Sequence, residues 1–225
     1  MSSVSPESIR DVYSSTARRY EMILRIYRLL GVNLKKWRDE AFARLPPIKE
    51  PRILDVAVGT GVNIPYLVDK YPDYEEIIGI DYTPEMLARA KKRIRDNGWR
   101  DVRIKLADAK DLSRYVDPPF DLIISTYSLS IIPDAPQVLG EINKVLDAEG
   151  YLMLLDCQKF TGLLSIFNPL AIWLSKQLGG NEETYSVPVS EIASNLFVPI
   201  SRRLLYSGLF YEDIYRGPSM LTAGR

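Results

Sequence analysis

Histidine is absent from all 225 residues. That removes the commonest general base, the Ser-His and Cys-His catalytic pairs and the usual zinc ligands, so no metal is expected. Cysteine occurs once, at Cys157, which rules out an intramolecular disulfide and suits a reducing, cytoplasmic compartment. Charge of either sign is not in excess, with 29 Lys plus Arg against 29 Asp plus Glu, so bulk electrostatics gives no reason to expect nucleic acid. The opening MSSVSPESIRDVY lacks the basic-then-apolar pattern of a signal peptide. There is no internal repeat and no low-complexity tract. What is present is the composition of a globular protein, 46% hydrophobic and 26% charged. The length suits one domain that buries roughly 70% of its unfolded surface.

Short apolar runs alternate with helical patterns along the chain. Strands are expected at 51–57, 75–81, 102–107, 120–126 and 151–156, and helices at 62–70, 83–97 and 135–147. Thr83-Pro84-Glu85 reads as a helix start with Thr83 as the cap, and Gly98 as the left-handed stop. Gly150 is expected to end a helix in the same way. Strands alternating with helices imply right-handed βαβ units, a parallel sheet, and ligands at the carboxyl ends of its strands. In the tail, SEIASNLFVPISRRLLYSG reads as a helix interrupted by Pro199. FYEDIYRG and SMLTAGR read as two strands joined by a Gly-Pro turn, which must pair antiparallel. The expectation is an α/β, Rossmann-like doubly wound fold with a mostly parallel seven-stranded sheet, an antiparallel C-terminal hairpin and a helical lid. One domain spans the chain: an N-terminal helical cap (1–48), a cofactor-binding core (51–156), a lid insertion (157–189), and a C-terminal helix and hairpin (190–225).

ILDVAVGTGVNIPYL, residues 53–67, places Gly59 and Gly61 between a strand and a helix. Such a turn lets backbone approach a ligand, and the helix N-terminus adds free N–H groups. The third glycine of the dinucleotide fingerprint is missing, because Ile64 stands there. A tight turn with no ligand is the competing reading of this piece alone. Asp81 ends the second strand, 20 residues beyond Gly61, where a carboxylate can accept both ribose hydroxyls. Asp108 ends the third strand, where an acid can take a hydrogen bond from the exocyclic amine of adenine. Carboxylates at Asp55, Asp81 and Asp108, with no Lys or Arg in the glycine turn, disfavour a pyrophosphate and favour a nucleoside with a cationic tail.

ILDVAVGTG, GIDYTPEMLARAKKR and LADAKDL resemble motifs I, II and III of class I S-adenosylmethionine-dependent methyltransferases. The upstream IRDVYSSTARRYEMILRIYRLLGVNLKKWRDEAF and the closing GLFYEDIYRGPSMLTAGR resemble the ubiquinone/menaquinone biosynthesis C-methyltransferase family. The resemblance implies S-adenosyl-L-methionine as cofactor, with Gly59, Thr60 and Gly61 cradling its methionine part. It implies Asp55 and the Ala57 carbonyl at the ammonium, Asp81 at the ribose, Tyr82 and Met86 beside the adenine, and Asp108 with the Ala109 amide reading it. Tyr20 matches a tyrosine that closes over the cofactor. Asn63, in the same loop, stands where family members usually carry an acid, and YSLSIIPD (127–134) lacks the family's Arg-Asn pair.

Transfer from a sulfonium is an in-line displacement, so positioning and exclusion of water supply much of the rate. A phenol, thiol or carbon acid would also need a base. Without histidine, topology singles out Asp156, ending the fifth strand, and Tyr127, following the fourth. Tyr13 is the third candidate, with packing as the favoured reading.

KFTGLLSIFNPLAIWLSKQLGG (159–180) carries one charge, Lys176, between Phe160 and Leu178. Its length approaches a membrane span, but Asn168, Pro169 and Lys176 favour a lid over the acceptor pocket. Phe160, Leu163, Leu164, Phe167, Leu170, Ala171 and Leu174 recur near helical spacing and read as a core-facing stripe, with Ile166, Ile172 and Trp173 off it. Upstream, Tyr20, Ile23, Leu24, Tyr27 and Leu30 form an apolar stripe, and residues 17–45 hold eight basic residues against three acidic ones. A basic amphipathic helix suits either a solvated face or an anionic membrane surface. The two segments together point to a lipophilic small-molecule acceptor, a quinone precursor or a phospholipid amine, and leave open a peripheral membrane contact. The alternatives are a methyltransferase for a soluble polar metabolite, a non-catalytic S-adenosylmethionine-binding regulatory module, and a nicotinamide dehydrogenase.

Overall fold

The computed structural model describes residues 31–132, 134–160, 162–177 and 187–218. Tyr13, Tyr20, the apolar stripe from Tyr20 to Leu30 and the SMLTAGR strand lie outside the described residues. The elements are α1 (Leu34–Arg44), β1 (Arg52–Val56), α2 (Ile64–Lys70), β2 (Glu76–Asp81), α3 (Pro84–Asn97) and β3 (Val102–Leu106). They continue with β4 (Phe120–Thr126), α4 (Ala135–Val145), β5 (Leu146–Cys157), α5 (Asn168–Gln177), α6 (Val189–Leu196), β6 (Phe197–Leu205) and β7 (Phe210–Pro218). Short 3-10 helices cover 109–114 and 162–167.

One seven-stranded sheet runs in the order β3-β2-β1-β4-β5-β7-β6. Strands β1 to β5 are parallel, while β7 pairs antiparallel with both β5 and β6. The order reverses between β1 and β4, which is where a doubly wound sheet opens a crevice at its carboxyl edge. Both sheet faces are covered, so the central strands are apolar on both sides. Leu54, Val56, Ile78, Ile80, Ile123 and Leu154 pack with α4 and α6 on one face. Ile53, Ile77, Leu122, Ile124, Met153 and Leu155 pack with α1 and α2 on the other. Each such fully buried aliphatic side chain contributes about 1.5–3 kcal/mol relative to exposure.

Several local features differ from expectation. The tail helix stops at Leu196, and the segment from Phe197 through Pro199 to Leu205 is an edge strand. Proline is tolerated there because an edge strand can leave one backbone position unpaired. The hairpin is therefore β6–β7, and Gly217-Pro218 belongs to β7, with Pro218 opposite Phe197. Gly150 lies inside β5, where a Cβ would come within 2.9 Å of the Phe120 carbonyl, so it serves close strand packing. Thr83 occupies the N-cap position of α3 but makes no side-chain cap bond. The expected stripe of the lid also fails. Leu163 is 92% exposed and Leu170 56%, while Ala171 is buried. The cause is a break at Asn168, whose side chain accepts from the Phe160 N–H and donates to the Phe160 carbonyl, so a 3-10 turn and a helix replace one continuous helix.

The basic residues of α1 turn partly inward. Arg44 pairs with the fully buried Glu212 at 2.8 Å, and Arg203 bridges Glu212 and Glu40 at 2.7 Å each. Trp37 packs against Phe210 with ring centroids 4.9 Å apart and the planes tilted by 46°. Together these contacts hold α1 against the hairpin beside the carboxyl edge.

Candidate active site

β1 runs into a turn with left-handed backbone at Ala57, Gly59 and Gly61, whose φ angles are 59°, 55° and 73°. A non-glycine residue there is uncommon and marks a constrained turn. The two glycines serve different purposes. A Cβ on Gly61 would lie 2.9 Å from Ile64 Cδ1 and 3.3 Å from Ala90 Cβ, so Gly61 lets the turn close on α3. A Cβ on Gly59 would meet nothing within 4 Å and would fill open ground in the cleft. Ile64, in place of a third glycine, is fully buried against Val58 and Leu87.

Asp81 braces this turn. Its Oδ2 accepts the Gly59 N–H and its Oδ1 the Thr83 N–H, each at 2.8 Å. The carboxylate is half-buried, and each oxygen keeps a further lone pair for a ligand. Next to it, Tyr82 is 76% exposed and Met86 40% exposed. Leu106, in register with Asp81 on the adjoining strand, is 57% exposed. Three exposed apolar side chains thus lie near the acid, at the tips of β2 and β3 and in the first turn of α3. Leu106 escaped sequence reasoning because an exposed leucine in an alternating strand looks like any other strand residue. Asp108 caps the turn of 109–114 by accepting the Lys110 N–H at 2.9 Å, and Ala109 beside it is buried.

Behind the turn lies a buried polar cluster. Asp55 is fully buried, and both its oxygens accept from Asn63 Nδ2, at 3.1 and 3.2 Å. The same amide nitrogen lies 3.1 Å from Thr126 Oγ1. Asn63 Oδ1 accepts from Arg38 Nε at 3.0 Å. Burial raises the Asp55 carboxyl to about 7; the Asn63 hydrogen bond and the Arg38 charge oppose the rise, and the Asp81 charge adds to it. Asn63 precedes α2 but does not cap it, because its side chain points into this cluster. The glycine turn itself carries no cation, yet folding brings two against it: Arg38, and Arg93, whose Nε donates to the Thr60 carbonyl at 3.2 Å. Neither position shows any pattern in the sequence that would assign it to the turn.

The two residues expected as general bases have their polar atoms engaged. Asp156 is fully buried; Oδ1 accepts from Ser130 Oγ (2.6 Å) and Cys157 N (2.8 Å), and Oδ2 from Ser128 N (3.2 Å) and Ser130 N (3.1 Å). It organises the loop after β4. Tyr127 has φ 54°, which turns its ring toward α1; its hydroxyl donates to the Leu34 carbonyl at 3.2 Å, and Arg38 sits 5.2 Å from the ring centroid. Burial pushes its phenol well above the usual range, which opposes ionisation. Tyr211 faces Asp156 across β5 and β7, and its buried hydroxyl has no hydrogen-bond partner among the described residues.

These residues fit a nucleoside with a cationic tail: open ground over Gly59, a half-exposed carboxylate at Asp81, apolar side chains around it, and a buried acid behind. Among the described residues, no group of three His, Cys, Asp or Glu side chains could hold a metal ion, and no helix is long and apolar enough to cross a membrane.

Residues 49–195 match a family described as a methyltransferase domain. A demethylmenaquinone methyltransferase of Lactobacillus johnsonii is 30% identical over 189 residues, covering 81% of this chain and 76% of that protein. A phosphatidylethanolamine N-methyltransferase of Cereibacter sphaeroides is 30% identical over 106 residues, covering 47% of this chain and 50% of that one. Among solved structures, the N-methyltransferase NodS of Bradyrhizobium japonicum in complex with S-adenosyl-L-homocysteine superposes with a TM-score of 0.61 at 17% identity, covering 89% of this chain and 99% of that chain.

Proposed function

The chain belongs to the class I S-adenosylmethionine-dependent methyltransferases, and from that premise we propose that its acceptor is a lipophilic small molecule, either a quinone precursor or a phospholipid amine. The observation that carries the proposal is the apolar surface of the segment after β5. Leu163 is 92% exposed, Ile166 74%, Trp173 57%, Leu170 56% and Phe167 49%, all within eleven residues that follow the carboxyl edge. Exposed apolar groups in such density mark a contact surface for something greasy. The names of the two relatives, one acting on a quinone and one on a phospholipid, support the same chemistry. A peripheral contact with a membrane surface belongs to the same proposal.

The bound cofactor supplies an electrophilic methyl group on a sulfonium. Asp81 would accept hydrogen bonds from the ribose hydroxyls, Tyr82, Met86 and Leu106 would flank the adenine, and Asp108 with the Ala109 N–H would read its edge. Gly59, Thr60 and Gly61 would give backbone access to the methionine part, while the Ala57 carbonyl and the charge of Asp55 would favour its ammonium. Asp156 and Tyr127 serve as positioning residues: the first shapes the loop 128–130, the second packs α1 against the tip of β4. A lid that excludes water then contributes through orientation and desolvation of the acceptor.

Asp55 makes cofactor capture pH-dependent. Its ionised form attracts the ammonium, and its carboxyl sits at about 7 in the empty site. Affinity for S-adenosylhomocysteine is therefore expected to rise about tenfold per pH unit below 7 and to level off above it. Stability runs the other way. The folded chain holds the Asp55 proton more tightly than the unfolded chain, whose value is about 3.9, so ionisation between about pH 4 and 7 costs stability as pH rises. Calorimetric titrations from pH 5 to 8 test this, and Asp55→Asn should flatten the profile. A profile already flat in the parent protein would remove Asp55 from the site.

The acceptor itself is tested by incubating the protein with methyl-labelled cofactor and a bacterial extract, then separating lipid and aqueous phases. Label is expected in the lipid phase on a molecule identified by mass. Label confined to the aqueous phase would establish the polar-metabolite alternative, and no transfer with intact cofactor binding would establish a non-catalytic module.

A further inference from the structure

Arg38 lies on α1, ahead of residue 49 where the methyltransferase-domain match begins, yet its guanidinium donates to Asn63, the side chain that binds the innermost acid of the cofactor site, Asp55. We propose that Arg38 is a positioning residue for the cofactor: through Asn63 it orients and electrostatically tunes Asp55, so that docking of α1 is coupled to capture of the cofactor's ammonium. The inference rests on the cofactor assignment above and adds a residue and a regulation to it.

The path is continuous. Arg38 Nε donates to Asn63 Oδ1 at 3.0 Å, which fixes the amide so that Nδ2 faces Asp55, at 3.1 and 3.2 Å, and Thr126. Thr126 Oγ1 also lies 3.3 Å from Asn63 Oδ1, so that oxygen has two donors directed at it. Without Arg38, the amide could turn over and present its oxygen to Asp55, where two acceptors would face each other. Arg38 is held in place from below by the Tyr127 ring. Tyr127 in turn donates to the Leu34 carbonyl of α1, so helix and site share one clamp. The charged and titratable groups around the cluster are Asp55 on β1, Asp81 on β2, Lys35, Arg38 and Asp39 on α1, Tyr66 on α2, and Tyr127 after β4. Lys35 and Tyr66 both bind Asp39, at 2.8 and 2.6 Å, which leaves Arg38, among the described residues, as the cation directed at the cluster. An opposite charge this close favours the ionised carboxylate, so Arg38 makes Asp55 a better partner for an ammonium at neutral pH.

The neutral amide of Asn63 conveys both orientation and charge to Asp55. α1 is fastened to the sheet by Arg44–Glu212 and Glu40–Arg203, contacts that do not involve Arg38, so a substitution at Arg38 should leave the helix docked. Movement of α1, for instance on engagement of the acceptor, would be felt at Asp55 through this path.

The test is S-adenosylhomocysteine binding by calorimetry from pH 5 to 9, with the urea midpoint as a check on folding. Arg38→Ala is expected to bind about tenfold more weakly at pH 7 and to move the midpoint of the pH dependence upward by about one unit, while Arg38→Lys restores most of the midpoint shift. In an Asp55→Asn background, Arg38→Ala should cost at most about twofold, because the coupled partner is gone. A parent-like affinity and midpoint in Arg38→Ala, or an undiminished loss in the Asp55→Asn background, would overturn the proposal. Failure of the parent protein to bind S-adenosylhomocysteine would instead overturn the cofactor assignment beneath it.

Discussion

Asp81→Ala is expected to weaken S-adenosylhomocysteine binding at least a hundredfold, as two charge-assisted hydrogen bonds at roughly 1.5–3 kcal/mol each are lost on the ribose side. The structure gives a second reason. Each Asp81 oxygen already accepts one backbone N–H, from Gly59 and from Thr83, at 2.8 Å. The side chain therefore does two jobs: it ties the glycine turn to the start of α3, and it presents the remaining lone pairs to the ligand. Alanine removes both, and leaves the Gly59 N–H without its acceptor. Asp81→Asn separates the effects. Its amide can accept only one of the two N–H groups and brings its own donors against the other, so an intermediate loss of about tenfold is expected. Calorimetry at pH 8, above the Asp55 transition, measures both variants. If Asp81→Ala bound within threefold of the parent, the acid would not face the sugar, and the orientation of the cofactor would have to be reversed or abandoned.

Gly61→Val should cost about 2–5 kcal/mol of stability, the sum of a left-handed backbone and an overpacked contact. The backbone sits at φ 73°, and the added Cβ alone would lie 2.9 Å from Ile64 Cδ1 and 3.3 Å from Ala90 Cβ. Ile64 is fully buried and Ala90 sits on the buried face of α3, so neither can move aside without repacking. Gly59→Ala provides the contrast. It shares the left-handed backbone, at φ 55°, but its Cβ would enter open ground. Its stability loss should stay near 1 kcal/mol, with the larger effect falling on cofactor affinity because the cleft is partly filled. Urea denaturation followed by circular dichroism reads the first effect, and calorimetry the second. Equal stability losses in Gly61→Val and Gly59→Ala would show that packing against Ala90 does not decide the role of Gly61.

Much of the catalytic core could be read from local pattern. β4 falls on the same residues in sequence and structure, 120–126, because a short, mostly apolar segment with Phe120, Ile123, Ile124 and Thr126, preceded by Pro119, favours a buried strand. Gly98 ends α3 with φ 66°, as a residue without a Cβ should. The acids at 55, 81 and 108 come to one edge because parallel strands of similar length align their tips. Errors arose where a choice depended on distant partners. Residues 197–205 have a pattern compatible with a helix, and only pairing with β7 makes them a strand. The lid stripe looked core-facing because its spacing is helical, but Asn168 breaks it by binding the Phe160 backbone. Asp156 and Tyr127 were singled out by position at strand ends. Their chemistry depends on what surrounds them: several backbone and side-chain donors at one, and a backbone carbonyl with burial at the other.

The amino-acid order by itself determined the alternating βαβ architecture, the glycine turn and the row of carboxylates, since each follows from propensities and spacings over a few residues; the cofactor followed from the resemblance of those motifs to a known family. Only the folded chain decided which atoms of those carboxylates are free, that Asp81 braces Gly59, that Arg38 reaches Asp55 through Asn63, and that the segment after β5 leaves its apolar groups exposed. The bonds that join these parts, Arg38 to Asn63 and Gly59 to Asp81, link residues 25 and 22 positions apart. They depend on packing geometry, which local sequence preference does not encode.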